Sequence, residues 1–138
     1  MAAVRLDWLC PLLQVYDMPA AVAFYRDLLD FEIVQSSDER DTPEGRLFHW
    51  AWLRNGAANL MLNTAYDEGE RPAARVAEQQ RLHGETGLYF GCADVDALHV
   101  ELTARGLDVA PPRVASYGMK QLTLTDPDGY AICFQHPA

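Results

Sequence analysis

Aromatic side chains fall at alternate positions in Phe48-His49-Trp50-Ala51-Trp52, and a second apolar run, Ala58 to Asn63, follows the dipeptide Asn55-Gly56. Asn-Gly between two such runs is the strongest short hairpin signal. A two-residue turn there predicts Arg54 opposite Ala57, and so Trp52 opposite Asn59, Trp50 opposite Met61 and Phe48 opposite Asn63. One face of that hairpin would carry two indoles, a phenyl ring, a thioether and two carboxamides. Large rings bury much area and suit flat or cationic partners through stacking and cation–π contact. The same alternation also fits a strand that fills a closed core, so the pattern alone is compatible with both.

The remaining reactive side chains are scattered. Histidines occur at positions 49, 83, 99 and 136, and the cysteines are Cys10, Cys92 and Cys133. An odd number of cysteines without CxxC spacing argues against a disulfide framework or a structural zinc site. The acidic runs Asp38 to Glu44 and Asp67 to Glu70 read as solvated loops, or as a rim that attracts cations. The net charge of −9 disfavours nucleic acid, because phosphate binding rests on clustered Lys and Arg. That charge serves solubility, or it draws in a cationic ligand. No apolar run approaches the roughly 20 residues of a membrane span, and no secretory signal is visible, so a cytoplasmic location is expected. A hydrophobic content of 49% over 138 residues suffices for a core, and the length suits a single domain, 1–138.

The elements that must position these residues come twice. Asp17-Met18-Pro19-Ala20-Ala21-Val22 and Asp94-Val95-Asp96-Ala97-Leu98-His99 each open a helix after an apolar strand, Leu9 to Val15 and Thr86 to Ala93 respectively. Asp17 suits an N-cap with Pro19 in the first turn, and Gly106 suits the end of the second helix. Met18, Ala21, Val22, Tyr25, Leu28 and Leu29 form one buried stripe at helical spacing, and Val95, Leu98 and Leu102 the other. Short strands follow, Phe31 to Ser36 and Leu107 to Val109, and each copy closes on a hairpin, the second turning at Asp126-Pro127-Asp128-Gly129. A crossover at 65–85, with a short helix from about Ala73 to Leu82, separates module 1 (about 7–64) from module 2 (about 86–136). Strand–helix–strand–strand–strand, twice over, predicts an α+β fold in which two sheets cover each other's apolar sides.

That order, with Tyr16-Asp17 before the first helix and Leu124-Thr125-Asp126-Pro127-Asp128-Gly129-Tyr130 before the last strand, resembles the vicinal oxygen chelate superfamily. The group includes glyoxalase I, extradiol dioxygenases, fosfomycin-resistance enzymes and bleomycin-resistance proteins. The resemblance covers essentially the whole chain, and the DPDGY turn is its most specific motif. It implies two βαβββ modules, paired curved mixed sheets around a cleft, and helices on the outside. Catalytic members hold a divalent metal on four His, Glu or Gln ligands from the first and last strands of each module. The matching positions here are Cys10, Asn59, Gly87 and Cys133, so the resemblance carries the fold without the usual metal donors. No cofactor is expected.

If Asn59 marks the cleft face, as the family comparison implies, then Phe48, Trp50, Trp52 and Met61 share it. Gln14 joins them from the first strand with Leu12 and Cys10. Tyr89 and Gly91 come from the second module with Gly87, together with Ala131, Gln135 and Gln121. Cys10 and Cys133 read there as small hydrophobes or as a thiol-reactive pair. This lining holds rings and neutral polar groups but no base, nucleophile or oxyanion clamp. The resemblance to the bleomycin-resistance branch implies a homodimer that sequesters a planar or cationic small molecule in an aromatic cleft. The alternative is a metal-dependent lyase or dioxygenase of the glyoxalase type. A metal-free enzyme is a third reading, in which a loop residue such as His83 swings into the cleft.

Overall fold

Both repeats open their helix in the same way. Asp17 accepts a hydrogen bond from the Ala20 amide at 3.1 Å, and Asp94 accepts from the amides of Asp96 and Ala97 at 3.1 and 3.0 Å. Each cap satisfies donors that the first helical turn leaves orphaned. The computed structural model describes residues 3–42, 45–67 and 69–138. Its elements run β1 (Leu12–Val15), α1 (Met18–Val22), β2 (Glu32–Ser36), β3 (Arg40–Thr42), β4 (Gly45–Leu47), β5 (Trp50–Asn55) and β6 (Ala58–Thr64). The chain continues through α2 (Ala77–His83), β7 (Gly87–Gly91), α3 (Val95–Ala104), β8 (Arg113–Val114), β9 (Met119–Thr125) and β10 (Ala131–Pro137).

Two four-stranded mixed sheets, ordered β1-β6-β5-β2 and β7-β10-β9-β8, make the fold α+β. The second order is the first repeated, which is the duplication the sequence announces. In each sheet the first and last strands of the module run parallel and the others antiparallel. One face of each sheet is buried: Leu13, Val15, Ala51, Leu53, Leu60 and Leu62 from the first, Leu122, Ile132 and Phe134 from the second. Against them pack Met18, Ala21, Val22 and Tyr25 of the first helical segment, and Val95 and Leu102 of α3.

The structure moves several boundaries. The α1 segment continues from Ala23 to Leu28 as a π-helix. Its i→i+5 bonding shifts the angular spacing of side chains, so Phe24 turns inward and joins a stripe that plain helical spacing leaves it out of. The second-module strand expected at Leu107 to Val109 is instead β8, two residues beyond Pro111-Pro112. Prolines lack the amide a ladder needs, so pairing starts only after them. The acidic stretch read as a loop contains β3, which pairs with β4 just beyond it, and positions 43 and 44 lie outside the described residues. The crossover helix begins at Ala77 rather than Ala73.

The β5–β6 hairpin is also displaced. Asn55 pairs with Ala58, so Gly56 and Ala57 form the turn, and Trp52 lies opposite Met61 and Trp50 opposite Asn63. Gly56 has φ 57° while Ala57 has none of the positive φ that Asn-Gly turns require at both positions, which is the pattern of a type II′ turn. Asn55 stays in the strand, where its side-chain amide donates to the Leu29 carbonyl at 3.0 Å. Each pairing moves by two positions, an even slip that keeps every side chain on its expected face.

The DPDGY turn ties the halves together. The Tyr25 hydroxyl donates to Asp126 at 2.6 Å, the Tyr16 amide to Asp128 at 2.8 Å, and the Gln14 amide to the Tyr130 hydroxyl at 3.0 Å. The crossover helix closes on the same turn. Gln80 donates to the Pro127 carbonyl at 3.2 Å, and His83 Nδ1 donates to the Asp128 carbonyl at 2.7 Å while its ring stacks on Tyr130. Gly129, at φ 89°, is backed so closely by the Gln80 carbonyl that a Cβ would collide with it. On the far side of the seam Arg105 reaches Asp30 at 2.7 Å and the Leu28 carbonyl at 3.1 Å.

Candidate functional site

The outward face of the first sheet is built in rows. Leu12, Met61, Trp52 and Gln35 are successive partners across the strands, and Gln14, Asn63 and Trp50 form the next row. All are at least partly open to solvent, whereas their neighbours Leu13, Ala51, Leu53, Leu60 and Leu62 are buried. Side chains alternate across a strand, so the strand that supplies the core supplies the rings as well. Trp50, Trp52, Asn59, Met61 and Gln14 therefore share one face, as the hairpin argument requires. Phe48 does not extend that row: β5 begins at Trp50, Asn63 faces Trp50, and Phe48 packs against the core from the preceding link.

Hydrogen bonds fix the polar members. Trp52 Nε1 donates to Asn59 Oδ1 at 3.0 Å, and Asn59 Nδ2 donates to the Ala57 carbonyl at 3.2 Å. Asn63 Nδ2 donates to Gln14 Oε1 at 3.3 Å. Trp8, absent from the sequence argument, and Arg54, which entered it only as a hairpin partner, complete this face. The Trp8 indole lies parallel to Trp52, and the Arg54 guanidinium stands 5.8 Å from the Trp52 ring centre. Trp8 belongs to the segment before β1, where no periodicity marks it; its only signal is an aromatic residue in the short apolar string Leu6-Asp7-Trp8-Leu9.

The corresponding face of the second sheet is barer. Tyr89, Cys133 and Thr123 form one row, Gly87, Ala131 and Thr125 the next, and Gly91, Gln135 and Gln121 a third. Small residues beside an exposed tyrosine (62%) leave an open hollow of about 280 Å³ floored by Ala131 and Cys133. Gln121 Nε2 donates to Gln135 Oε1 at 2.9 Å and to the Tyr117 hydroxyl at 2.7 Å. Tyr117, like Trp8, went unrecognised from sequence because it lies in a loop rather than a patterned strand. Among the described residues no hydrogen bond or ring contact joins this face to that of the first sheet. The ties across the seam come from the buried layer, the strand ends and the β9–β10 turn.

The four positions that the family resemblance aligns with metal donors, Cys10, Asn59, Gly87 and Cys133, offer poor donors. Gly87 has no side chain, the Asn59 oxygen is engaged by Trp52, and burial pushes the thiols of Cys10 and Cys133 up, away from the thiolate a metal binds. Among the described residues no three His, Cys, Asp or Glu side chains come together as a metal would need. The titratable groups that do cluster, Asp126 and Asp128 with Tyr25, are sealed in the seam. Burial raises all three, and the neighbouring acid holds Tyr25 protonated. His83 is engaged by that turn rather than by either ring-bearing face. What the faces offer is stacking area, amides and hydroxyls, with the guanidinium groups of Arg54 and Arg113 at their edges.

A model of the Glyoxalase/Bleomycin resistance protein/Dioxygenase superfamily matches residues 5–134. The structure of a bleomycin-binding protein from bleomycin-producing Streptomyces verticillus, in complex with copper(II)-bleomycin, is similar at 26% identity and a TM-score of 0.65, over 95% of this chain and 96% of that one. TnmS3, an antibiotic-binding protein from Streptomyces sp. CB03234, superposes with a TM-score of 0.67 at 23% identity over the whole of both chains. TioX from Micromonospora sp. ML1 does so with a TM-score of 0.70 at 18% identity, over 96% of this chain and 99% of that one. At these last two identities the likeness is one of fold. No curated protein matches the chain.

Proposed function

The chain belongs to the glyoxalase/bleomycin resistance protein/dioxygenase superfamily, and from that premise we propose that it binds and sequesters a planar, cationic small molecule without transforming it. Trp50, Trp52, Met61 and Tyr89 supply stacking surface. Gln14, Asn59 and Gln121 supply hydrogen bonds, and Phe48 backs the first sheet from its edge. One observation carries the reading: the solvent-facing side of each sheet bears rings and amides, with charge confined to Arg54 and Glu32 at the edge of the first and Arg113 at the edge of the second, while the buried acids and His83 are spent on the seam. Ligand pockets commonly combine apolar walls with a few such polar groups. The net charge of −9 favours a cation, both in the rate of encounter and in affinity.

The two faces do not close on each other within the chain, so a homodimer in which the first sheet of one copy faces the second sheet of another accounts for how a ligand would be enclosed. The metal-dependent lyase or dioxygenase reading has less support, because the four donor positions do not suit a divalent ion.

Calorimetric titration with copper(II)-bleomycin, followed in parallel by tryptophan fluorescence, tests the proposal. Saturable heat with quenching of the indoles is expected. No heat at high protein concentration, with fluorescence unchanged, would count decisively against it.

A further inference from the structure

Trp8 lies on the extended segment 5–11 ahead of β1, where Leu6 and Leu9 are 86% and 79% exposed and Trp8 itself 66%. Burial does not hold this indole in place, yet it lies over Trp52 with ring centres 6.2 Å apart and planes 7° from parallel. The two rings are held very differently. Trp52 sits on β5, inside the sheet, and its Nε1 is tied to Asn59 Oδ1 at 3.0 Å. Apart from that ring contact, the hydrogen bond among the described residues that ties the segment carrying Trp8 to the sheet is at Pro11, whose carbonyl accepts from the Met61 amide at 2.8 Å.

One anchored ring and one parallel ring on a projecting arm make a slot that opens by moving the arm alone. Carbon atoms in contact lie roughly 3.5–4 Å apart, so a flat ring held between two others needs them roughly 7 Å apart face to face. Parallel rings whose centres are 6.2 Å apart fall short of that spacing whatever their sideways offset, so the arm has to swing outward before a ring can enter. We propose that Trp8 is the movable jaw of an aromatic clamp whose fixed jaw is Trp52, and that the clamp takes a flat system of at least two fused or linked rings. An indole is itself bicyclic, and a single ring would leave about half of each jaw uncovered. The inference rests on the ring-binding reading above and adds to it a jaw from outside the two sheets, which sets the shape of ligand admitted.

Two measurements test it, the first without ligand. Rings this close give nuclear Overhauser contacts between their protons. The wild-type protein is expected to show such contacts between the Trp8 and Trp52 indoles, and the Trp8→Phe variant to lose the indole–indole cross-peaks. Their absence in the wild type overturns the clamp and leaves the sequestration reading untouched.

The second measurement is titration with copper(II)-bleomycin and with acridine, a flat tricycle. Trp8→Ala is expected to weaken acridine binding by about three- to tenfold, the range stacking contacts contribute. Trp8→Phe should recover part of the loss, and Val100→Ala, an exposed position on α3 away from the arm and both sheet faces, should bind as the wild type does. Equal or tighter binding by Trp8→Ala overturns the clamp, the latter because Trp8 would then be a plug. A wild-type protein that takes up neither compound overturns the clamp and the reading beneath it together.

Discussion

Adjacent residues of β5 do opposite work, and this separates binding from stability. Trp52 is half open and held by Asn59, whereas Leu53 is fully buried beneath the sheet. Trp52→Ala is therefore expected to weaken a stacked ligand by roughly tenfold, as loss of an aromatic anchor does, while moving the unfolding midpoint little. Leu53→Ala should cost about 2–5 kcal/mol of stability through the cavity it leaves. Denaturant melts paired with titrations on both variants check the contrast, and a large stability loss at Trp52 would mean that its ring is core after all.

The buried acids give a second expectation at this scale. Asp126 and Asp128 are raised above the ordinary aspartate value of 3.8, chiefly because burial disfavours the charged form. The folded state thus holds these protons more tightly than the unfolded chain. Their contribution to stability is fully present below 3.8 and is lost as the pH rises through the folded-state values. Asp126→Asn keeps an oxygen for the Asp128 and Tyr130 amides, which Asp126 Oδ1 accepts at 2.9 Å each. Melts taken at rising pH from 3.8 upward should show a shallower decline in that variant than in the wild type; an unchanged slope would place the linkage elsewhere.

At the scale of elements, the turn at Asp126 to Gly129 is a joint. It receives β1, the first helix and α2 at once, and its tightest point is Gly129 against the Gln80 carbonyl. Gly129→Ala would combine an unfavourable positive φ with a direct clash, and is expected to cost about 2 kcal/mol or more. Gly56→Ala, also at positive φ but with open space around it, should cost only about 1 kcal/mol. Chemical denaturation of the two variants side by side checks this, and equal losses would show that α2 yields at no cost.

The same joint marks how far the sequence could be read. The DPDGY string, the two Asp caps and the period-2 alternation are local signals, and they suffice for both sheets, both long helical segments and the outward face of β1, β5, β6, β7 and β10, though not for Phe48, which turns to the core ahead of β5. The hairpin slip at Gly56, the π-helical turn that swings Phe24 inward and the start of β8 beyond Pro112 were decided by packing partners distant in sequence. Trp8 and Tyr117 lay beyond reach for the same reason. They are single rings in irregular chain, placed by Trp52 and Gln121 rather than by any repeat.

For the whole molecule, several of the exposed apolar side chains fall where the proposed site is. Leu6, Trp8, Leu9 and Leu12 lie on the arm and first sheet, and Tyr89 and Tyr117 on the second sheet and its adjoining loop, each 46–86% exposed. Exposed apolar surface, where it gathers, generally marks an interface or a ligand site. A pair of chains that sets the first sheet of one against the second sheet of the other covers both sets at once. The repeated strand order makes the two faces alike in shape, so the contact can be made twice about a two-fold axis. Sedimentation at micromolar concentration is accordingly expected to give about twice the chain mass of 15.4 kDa. The melting temperature should rise with protein concentration, as it does when association stabilises the fold. Tyr117→Glu, which puts a charge into the second face without touching the core, should shift the protein toward monomer and weaken ligand binding together. A wild-type monomer at high concentration that still binds a planar ligand tightly would require each face to act alone.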